Sequence, residues 1–164
     1  MRFVLGIILI LGIVSTSYGL EHTIAISNSP AHSGRVVPGL HYALSDGFYE
    51  AFVYSGGVST PIYFHSAYSA GVAKMYNDFN SEVFKGISAG LGAFVYYAQV
   101  GYRESTDSAL EEASDWTIGP VFRVVYSPVN NLHIGIQGQF GIMGAAIIAL
   151  SPQELAYLTI GVKF

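Results

Sequence analysis

The chain has 164 residues, a mean hydropathy of +0.44, a formal net charge of −4 and only 11% charged side chains, against about 25% in ordinary soluble proteins. One domain is the default at this length, and 7 Lys and Arg scattered against 11 Asp and Glu make a poor nucleic-acid ligand. No cysteine is present, so disulfides and a lipidated cysteine anchor are excluded.

The N-terminus has the three-part plan of a secretory signal: Arg2, then the apolar run VLGIILILGIV (Val4–Val14), then small residues at Ser17 and Gly19. The run is shorter than the ~20 residues of a membrane-spanning helix. The predicted organisation is a cleaved signal peptide over 1–19 and one domain over 20–164. The next most apolar window, GIMGAAIIAL (Gly141–Leu150), is also too short to span as a helix.

The rest divides into alternating segments bounded by turn residues. HTIAIS (His22–Ser27) is the first, followed by the polar loop SNSPAHSGR. VPGLHYALS (Val37–Ser45) is the second and ends at Asp46-Gly47, a strong hairpin signal. FYEAFVYS (Phe48–Ser55) ends at the expected loop GGVSTP, and Ile62–Tyr76 ends at NDFNSE. Phe84–Tyr102 is the longest segment and leads into an acidic loop, Arg103–Asp115. Trp116–Ser127, Leu132–Phe140 and Leu155–Phe164 complete the set, the last being the C-terminal strand. Eight segments, with short second, fourth and sixth connections, match the single-chain barrels of bacterial outer membranes.

The alternation separates two faces. Trp116, Ile118, Pro120, Phe122, Val124 and Tyr126 share one side of the sixth segment, with aromatics at both ends. Ile87, Ala89, Leu91, Ala93, Val95 and Tyr97 share one side of the fifth, opposite Ser88, Gly90 and Gly92. The second faces read as polar or small, with no bulky apolar residues to form a soluble core. The apolar face is therefore expected to meet lipid and the other to fill a narrow lumen. A lipocalin-like soluble barrel is the alternative, but it needs an outer charged face that this chain lacks.

The segment YLTIGVKF ends in Phe164, with Val162 and Ile160 at alternate positions. With the signal peptide, the eight segments and Asp46-Gly47, it resembles the small eight-stranded outer-membrane barrels of the OmpA-domain, OmpX and OmpW types. The resemblance implies an all-β, eight-stranded antiparallel up-and-down transmembrane barrel. Phe164, Val162 and Ile160 would be its assembly signal, read by the barrel assembly machinery after delivery by periplasmic chaperones. It implies a monomer in the outer membrane of a Gram-negative bacterium, in contact with lipid and lipopolysaccharide and needing no cofactor.

Several residues carry candidate chemistry. Glu50, Arg123 and Lys163 take lumen parity near one end, together with His65, His133, Gln137 and Gln139, so a polar lumen network is expected. Charges in a narrow lumen must be paired or wet. The histidines (His22, His32, His41, His65, His133) lack close metal-ligand spacing. Glu104, Asp107, Glu111, Glu112 and Asp115 make the loop acidic, and Ser108 followed by Glu111 is a capping pattern for a short helix. His65-Ser66 raises a lipid A hydrolase, but neighbouring strand residues point to opposite faces, which separates base from nucleophile. The functional expectation is a structural or surface-interaction barrel with a side-chain-filled lumen. A narrow channel for ions or very small solutes is the alternative, and a lipid A-modifying enzyme is the less favoured one.

Overall fold

A computed structural model describes residues 20–30, 36–77, 85–129, 131–140 and 156–164. The expected signal peptide, His32 and the apolar run 141–150 lie outside the described residues. Eight strands follow in chain order: β1 (Glu21–Pro30), β2 (Val36–Ser45), β3 (Tyr49–Thr60), β4 (Tyr63–Tyr76), β5 (Ile87–Tyr102), β6 (Glu111–Tyr126), β7 (Leu132–Gln139) and β8 (Ala156–Lys163). Each pairs antiparallel with its sequence neighbours, and β8 returns to β1 to close an up-and-down barrel. Among the described residues there is no helix.

Closure is made by the chain ends. His22 N–H donates to the Phe164 carbonyl (2.8 Å), and Phe164 N–H donates back to the His22 carbonyl (2.9 Å). The His22 ring also stacks on the Phe164 ring, with centroids 5.4 Å apart, while its Nδ1 lies 2.8 Å from the Tyr42 hydroxyl. At the same end, the β2–β3 turn rests on Asp46. Its Oδ1 accepts the N–H groups of Phe48 (2.8 Å) and Tyr49 (2.6 Å), and Gly47 supplies a φ of 88°, a region that costs other residues. The Tyr49 and then the Phe48 hydrogen bond hold the Asp46 carboxyl below its ordinary pKa.

The apolar face looks outward all the way round. Ile24, Ile26, Leu40, Val53, Val72, Leu91, Val95, Ile118, Phe122, Ile136, Leu158, Ile160 and Val162 are all exposed. Exposed aromatics border this band: Tyr49, Tyr76, Tyr126 and Phe164 on the side of the termini, and Tyr68, Tyr97, Trp116 and Phe140 on the other. Tyr68, Tyr97 and Trp116 sit directly opposite one another across β4, β5 and β6. On β6 the band runs from Trp116 to Tyr126. At about 3.3 Å per residue and a tilt near 40°, that span stands about 25 Å tall.

The structure corrects three expectations. The lumen is not free of bulky apolar groups. Phe52, Met75, Phe94, Val121 and Val125 form a buried cluster with Ala43 and Ala73, and Tyr54 and Tyr157 form a second with Ala67. The glycines are the reason these fit: a Cβ at Gly71 would stand 2.5 Å from Phe52 Cζ. Small lumen residues are thus the space into which large ones reach.

Secondly, GGVSTP is not a loop. β3 continues to Thr60, paired with Tyr63, and only Pro61 and Ile62 make the turn. Thirdly, Glu111–Ser114 is not helical. β6 starts at Glu111 and pairs with β5 from Tyr102↔Glu111 through Ala98↔Asp115. A single capped turn is marginal alone, whereas β5 supplies a continuous ladder of backbone partners for this stretch. Both hairpins therefore continue past the aromatic row, and the acidic loop shrinks to the turn between Tyr102 and Glu111.

Candidate functional site

The side chains that converge in the lumen come from strands distant around the wall. Arg123 on β6 is the hub and is 1% exposed. Its Nη2 lies 2.6 Å from Glu50 Oε1 of β3. Its Nη1 donates to Gln137 Oε1 on the neighbouring β7 and lies 3.2 Å from His41 Nε2 of β2. The Phe52 ring, on the same face of β3 as Glu50, faces the guanidinium with 4.8 Å between ring centroid and Cζ, and stacks on His41 at 5.9 Å. One cation thus ties four strands, β2, β3, β6 and β7. Its planar fork suits this task, since several partners are met in fixed directions.

Around the hub lie smaller polar contacts. His133 Nε2 is 3.1 Å from Thr159 Oγ1, and the Thr159 hydroxyl donates to the Gly135 carbonyl. Gln139 Nε2 donates to Ser69 Oγ (2.8 Å), linking β7 to β4 across the lumen. Tyr54 and Tyr157 meet edge to face at 4.7 Å. His65 is buried on the lumen side of β4. Lys163 stands apart from Arg123: it pairs with Glu21 at 2.5 Å, where both are partly exposed. Between that pair and Glu50 is a cavity of about 60 Å³, also lined by Thr23, Ser45 and His133. Gly47, Asn77 and Ser127 in its lining place it at the end of the termini, and Glu50 forms part of its wall.

Of the residues singled out from the sequence, Glu50, Arg123 and Gln137 come together. His133, Gln139 and His65 share the lumen but make separate contacts, and Lys163 belongs to the mouth. His41, Phe52, Ser69 and Thr159 were not singled out. Parity was the available signal for His41, which alternates with Leu40, exposed on the outer face.

The acidic residues do not gather. Glu112 accepts from Gln99 Nε2 (3.2 Å), Asp115 Oδ1 accepts the Trp116 N–H (2.7 Å), and Glu104 and Asp107 lie in the exposed turn. Among the described residues no group of three or more His, Asp or Glu side chains is placed to hold a metal. His65 is buried and faces the lumen while Ser66 takes the opposite face of β4.

No protein-family model matches the chain, and no curated protein matches it. Among solved structures, the N-terminal β-barrel domain of Pseudomonas aeruginosa OprF is similar, with a TM-score of 0.57 at 14% identity over 88% of this chain and 96% of that one. Ail, the attachment invasion locus protein of Yersinia pestis, solved in complex with the heparin analogue sucrose octasulfate, has a TM-score of 0.50 at 10% identity over 88% and 96%. Both are eight-stranded outer-membrane barrels. This chain therefore shares the fold of the small eight-stranded outer-membrane β-barrel proteins.

Proposed function

We propose that this chain is an integral outer-membrane β-barrel of a Gram-negative bacterium, with a structural or surface-interaction role and a plugged lumen. The observation that carries the reading is the continuous outward apolar band, bordered by aromatics on both sides. Such a surface is unstable in water and matches the hydrocarbon layer of a bilayer. The eight-stranded fold it shares with OprF and Ail supports the same location. The termini then lie in the periplasm, and the β3–β4 and β5–β6 hairpins extend outward. Polyanion binding of the kind seen in the Ail complex does not suit this chain, because Glu104, Asp107, Glu111, Glu112 and Asp115 would repel it.

The lumen supports a role without transport. Arg123, Glu50, His41 and Phe52 close it from wall to wall, as a narrow eight-stranded interior filled by side chains would. A narrow channel for ions or very small solutes is the second reading. It is favoured by Thr117 Oγ1, Gln139 Oε1, Gln137 Nε2 and Arg123 Nε, buried polar atoms without a hydrogen-bond partner among the described residues. An enzymatic role is not favoured, because His65 and Ser66 take opposite faces.

Fractionation together with heat-modifiability on a gel tests the proposal. The protein is expected in the outer membrane, with a mobility that changes on boiling. Recovery of the mature chain as a detergent-free soluble periplasmic protein overturns it. Planar bilayers separate the two lumen readings: steady single-channel currents from the unmodified protein select the channel.

A further inference from the structure

The β4–β5 and β5–β6 ladders carry outward rows of side chains past the outer edge of the apolar band. Tyr68, Tyr97 and Trp116 stand opposite one another across β4, β5 and β6. Two residues further out, Ser66, Gln99 and Ser114 do the same, and the next row is Phe64, Gly101 and Glu112. Every second position of a strand shares a face, so all three rows look outward. At about 3.3 Å per residue and a tilt near 40°, the Phe64 row stands about 10 Å beyond the Tyr68 row.

Each row presents a different surface. Tyr68, Tyr97 and Trp116 are 50%, 41% and 58% exposed, so the chain leaves much of their ring surface uncovered. The Tyr68 and Tyr97 rings stack, with centroids 6.4 Å apart. Beyond them Gln99 Nε2 donates to Glu112 Oε2 (3.2 Å), which ties the polar row to the outermost one. Phe64 lies over Gly101, where a Cβ would run into its ring. A strip of hydroxyls and an amide is thus framed by aromatic rings on both sides. A single aromatic row suits a membrane–water interface. The polar strip and the second ring beyond it are features that such a belt does not require.

A pyranose ring matches this order of surfaces. Its C–H face packs on aromatic rings, whose π faces are negative. Its hydroxyls donate and accept. The Gln99 amide has a second hydrogen and a carbonyl oxygen to meet them, and the Glu112 carboxylate a second oxygen. Glu112, with Glu111 and Asp115 on the same strand, would repel a phosphate or sulfate, so the sugar is an uncharged one. The patch begins where the apolar band ends, so a sugar seated there continues into acyl chains lying along the band. We infer that the outward face of β4, β5 and β6, from the Tyr68–Tyr97–Trp116 row to Phe64 and Glu112, binds an uncharged pyranose of an outer-leaflet glycolipid. The inference rests on the outer-membrane reading above and names the lipid class that this surface selects.

Trp116 is the sole tryptophan and lies in the patch, so its emission reports on occupancy. The full barrel, folded in zwitterionic dodecylphosphocholine micelles, is titrated with dodecyl maltoside, an uncharged sugar on an alkyl chain. Dodecyl octaethylene glycol ether supplies the same chain without the sugar. Free maltose supplies the sugar without the chain, and dodecyl glucuronide an anionic sugar on that chain. Dodecyl maltoside is expected to shift Trp116 emission saturably, and the other compounds are not. Gln99→Ala and Tyr97→Leu should each weaken the response about fivefold, with heat-modifiability retained. An equal shift from the glycol ether overturns the inference, because the row is then an interfacial belt only. Equal binding of free maltose overturns it by making a soluble glycan the occupant, and equal binding of the glucuronide by removing the charge selection. Unchanged binding by both folded variants, or no response to dodecyl maltoside, also overturns it. None of these outcomes touches the outer-membrane reading, which stands or falls on fractionation.

Discussion

Arg123 on β6 and Glu50 on β3 have two strands between them along the wall, yet their charged groups meet inside the lumen 2.6 Å apart. Both side chains are almost fully buried, so each neutralises the other where water is scarce. Glu50→Ala leaves Arg123 with His41 and Gln137 but no anion. Loss of one partner of a buried pair costs about 3–5 kcal/mol. The variant is expected to unfold at lower urea concentration, or to show a weak leak in planar bilayers as water solvates the guanidinium. Glu50→Ala combined with Arg123→Met should recover most of the loss. Unchanged stability and conductance in Glu50→Ala would remove the pair as a plug.

Phe52 bears on the same hub from the side. Its ring faces Arg123, stacks on His41 and fills the space left by Gly71. Phe52→Ala opens a cavity beside the guanidinium and should destabilise the barrel by about 3–5 kcal/mol. Phe52→Leu should retain most of the packing but not the ring contact, and should fall between. Denaturant unfolding followed by Trp116 fluorescence measures both. Equal stability of all three proteins would show that the lumen cluster is loosely packed.

The Asp46 turn carries a pH dependence of known sign. Hydrogen bonds from the Tyr49 and Phe48 N–H groups lower the Asp46 pKa. A lowered carboxylate pKa contributes stability that is present above the unfolded value, about 4. That contribution is lost as pH falls through the folded value. Asp46→Asn keeps an acceptor without the titration. Its thermal stability, compared with the unmodified protein, should therefore vary less with pH below about 4. Identical acid profiles for the two proteins would discount the turn.

Phe164 closes the barrel through two backbone bonds to His22 and a stacked ring. Removal of Phe164 takes away all three contacts at the β1–β8 seam. The truncated chain should give less of the heat-modifiable form in the outer membrane and more degraded precursor. Phe164→Ala retains the backbone bonds and should show a milder defect. Full assembly of the truncated chain would mean that the seam holds without its last residue.

The turn between β5 and β6 should face the cell exterior. It is held by the Arg103 guanidinium donating to the Thr106 carbonyl and by the Ser105 and Ser108 hydroxyls 2.8 Å apart. An epitope inserted after Asp107 should be reached by antibody on intact cells. Access only after the outer membrane is permeabilised would reverse the topology.

Much of the lumen site was open to parity alone. Arg123 alternates with Phe122 and Val124, and Gln137 and Gln139 alternate with Ile136 and Gly138, so their inward direction follows from the period of a strand. Which of them touch does not. Glu50 lies 73 positions before Arg123 in the numbering, and its strand carries aromatics on both faces, so no local pattern pairs the two. His41 joins the hub only because β2 lies beside β3 in the closed wall.

The sequence by itself determined the number of strands, their inward and outward faces, the Asp46-Gly47 turn and the scarcity of charged side chains. These are properties of single strands: a period of two, turn residues and composition. Only the tertiary structure decided how far the strands run, because ladder hydrogen bonds depend on a partner backbone rather than on side-chain type. That is why β3 reaches Thr60 through GGVST, and why β6 begins at Glu111 in a stretch that reads as an acidic loop. Closure of the wall likewise decided the lumen. It brought Phe52 and Met75 into the spaces left by Gly71 and Gly90, and set Arg123 against Glu50.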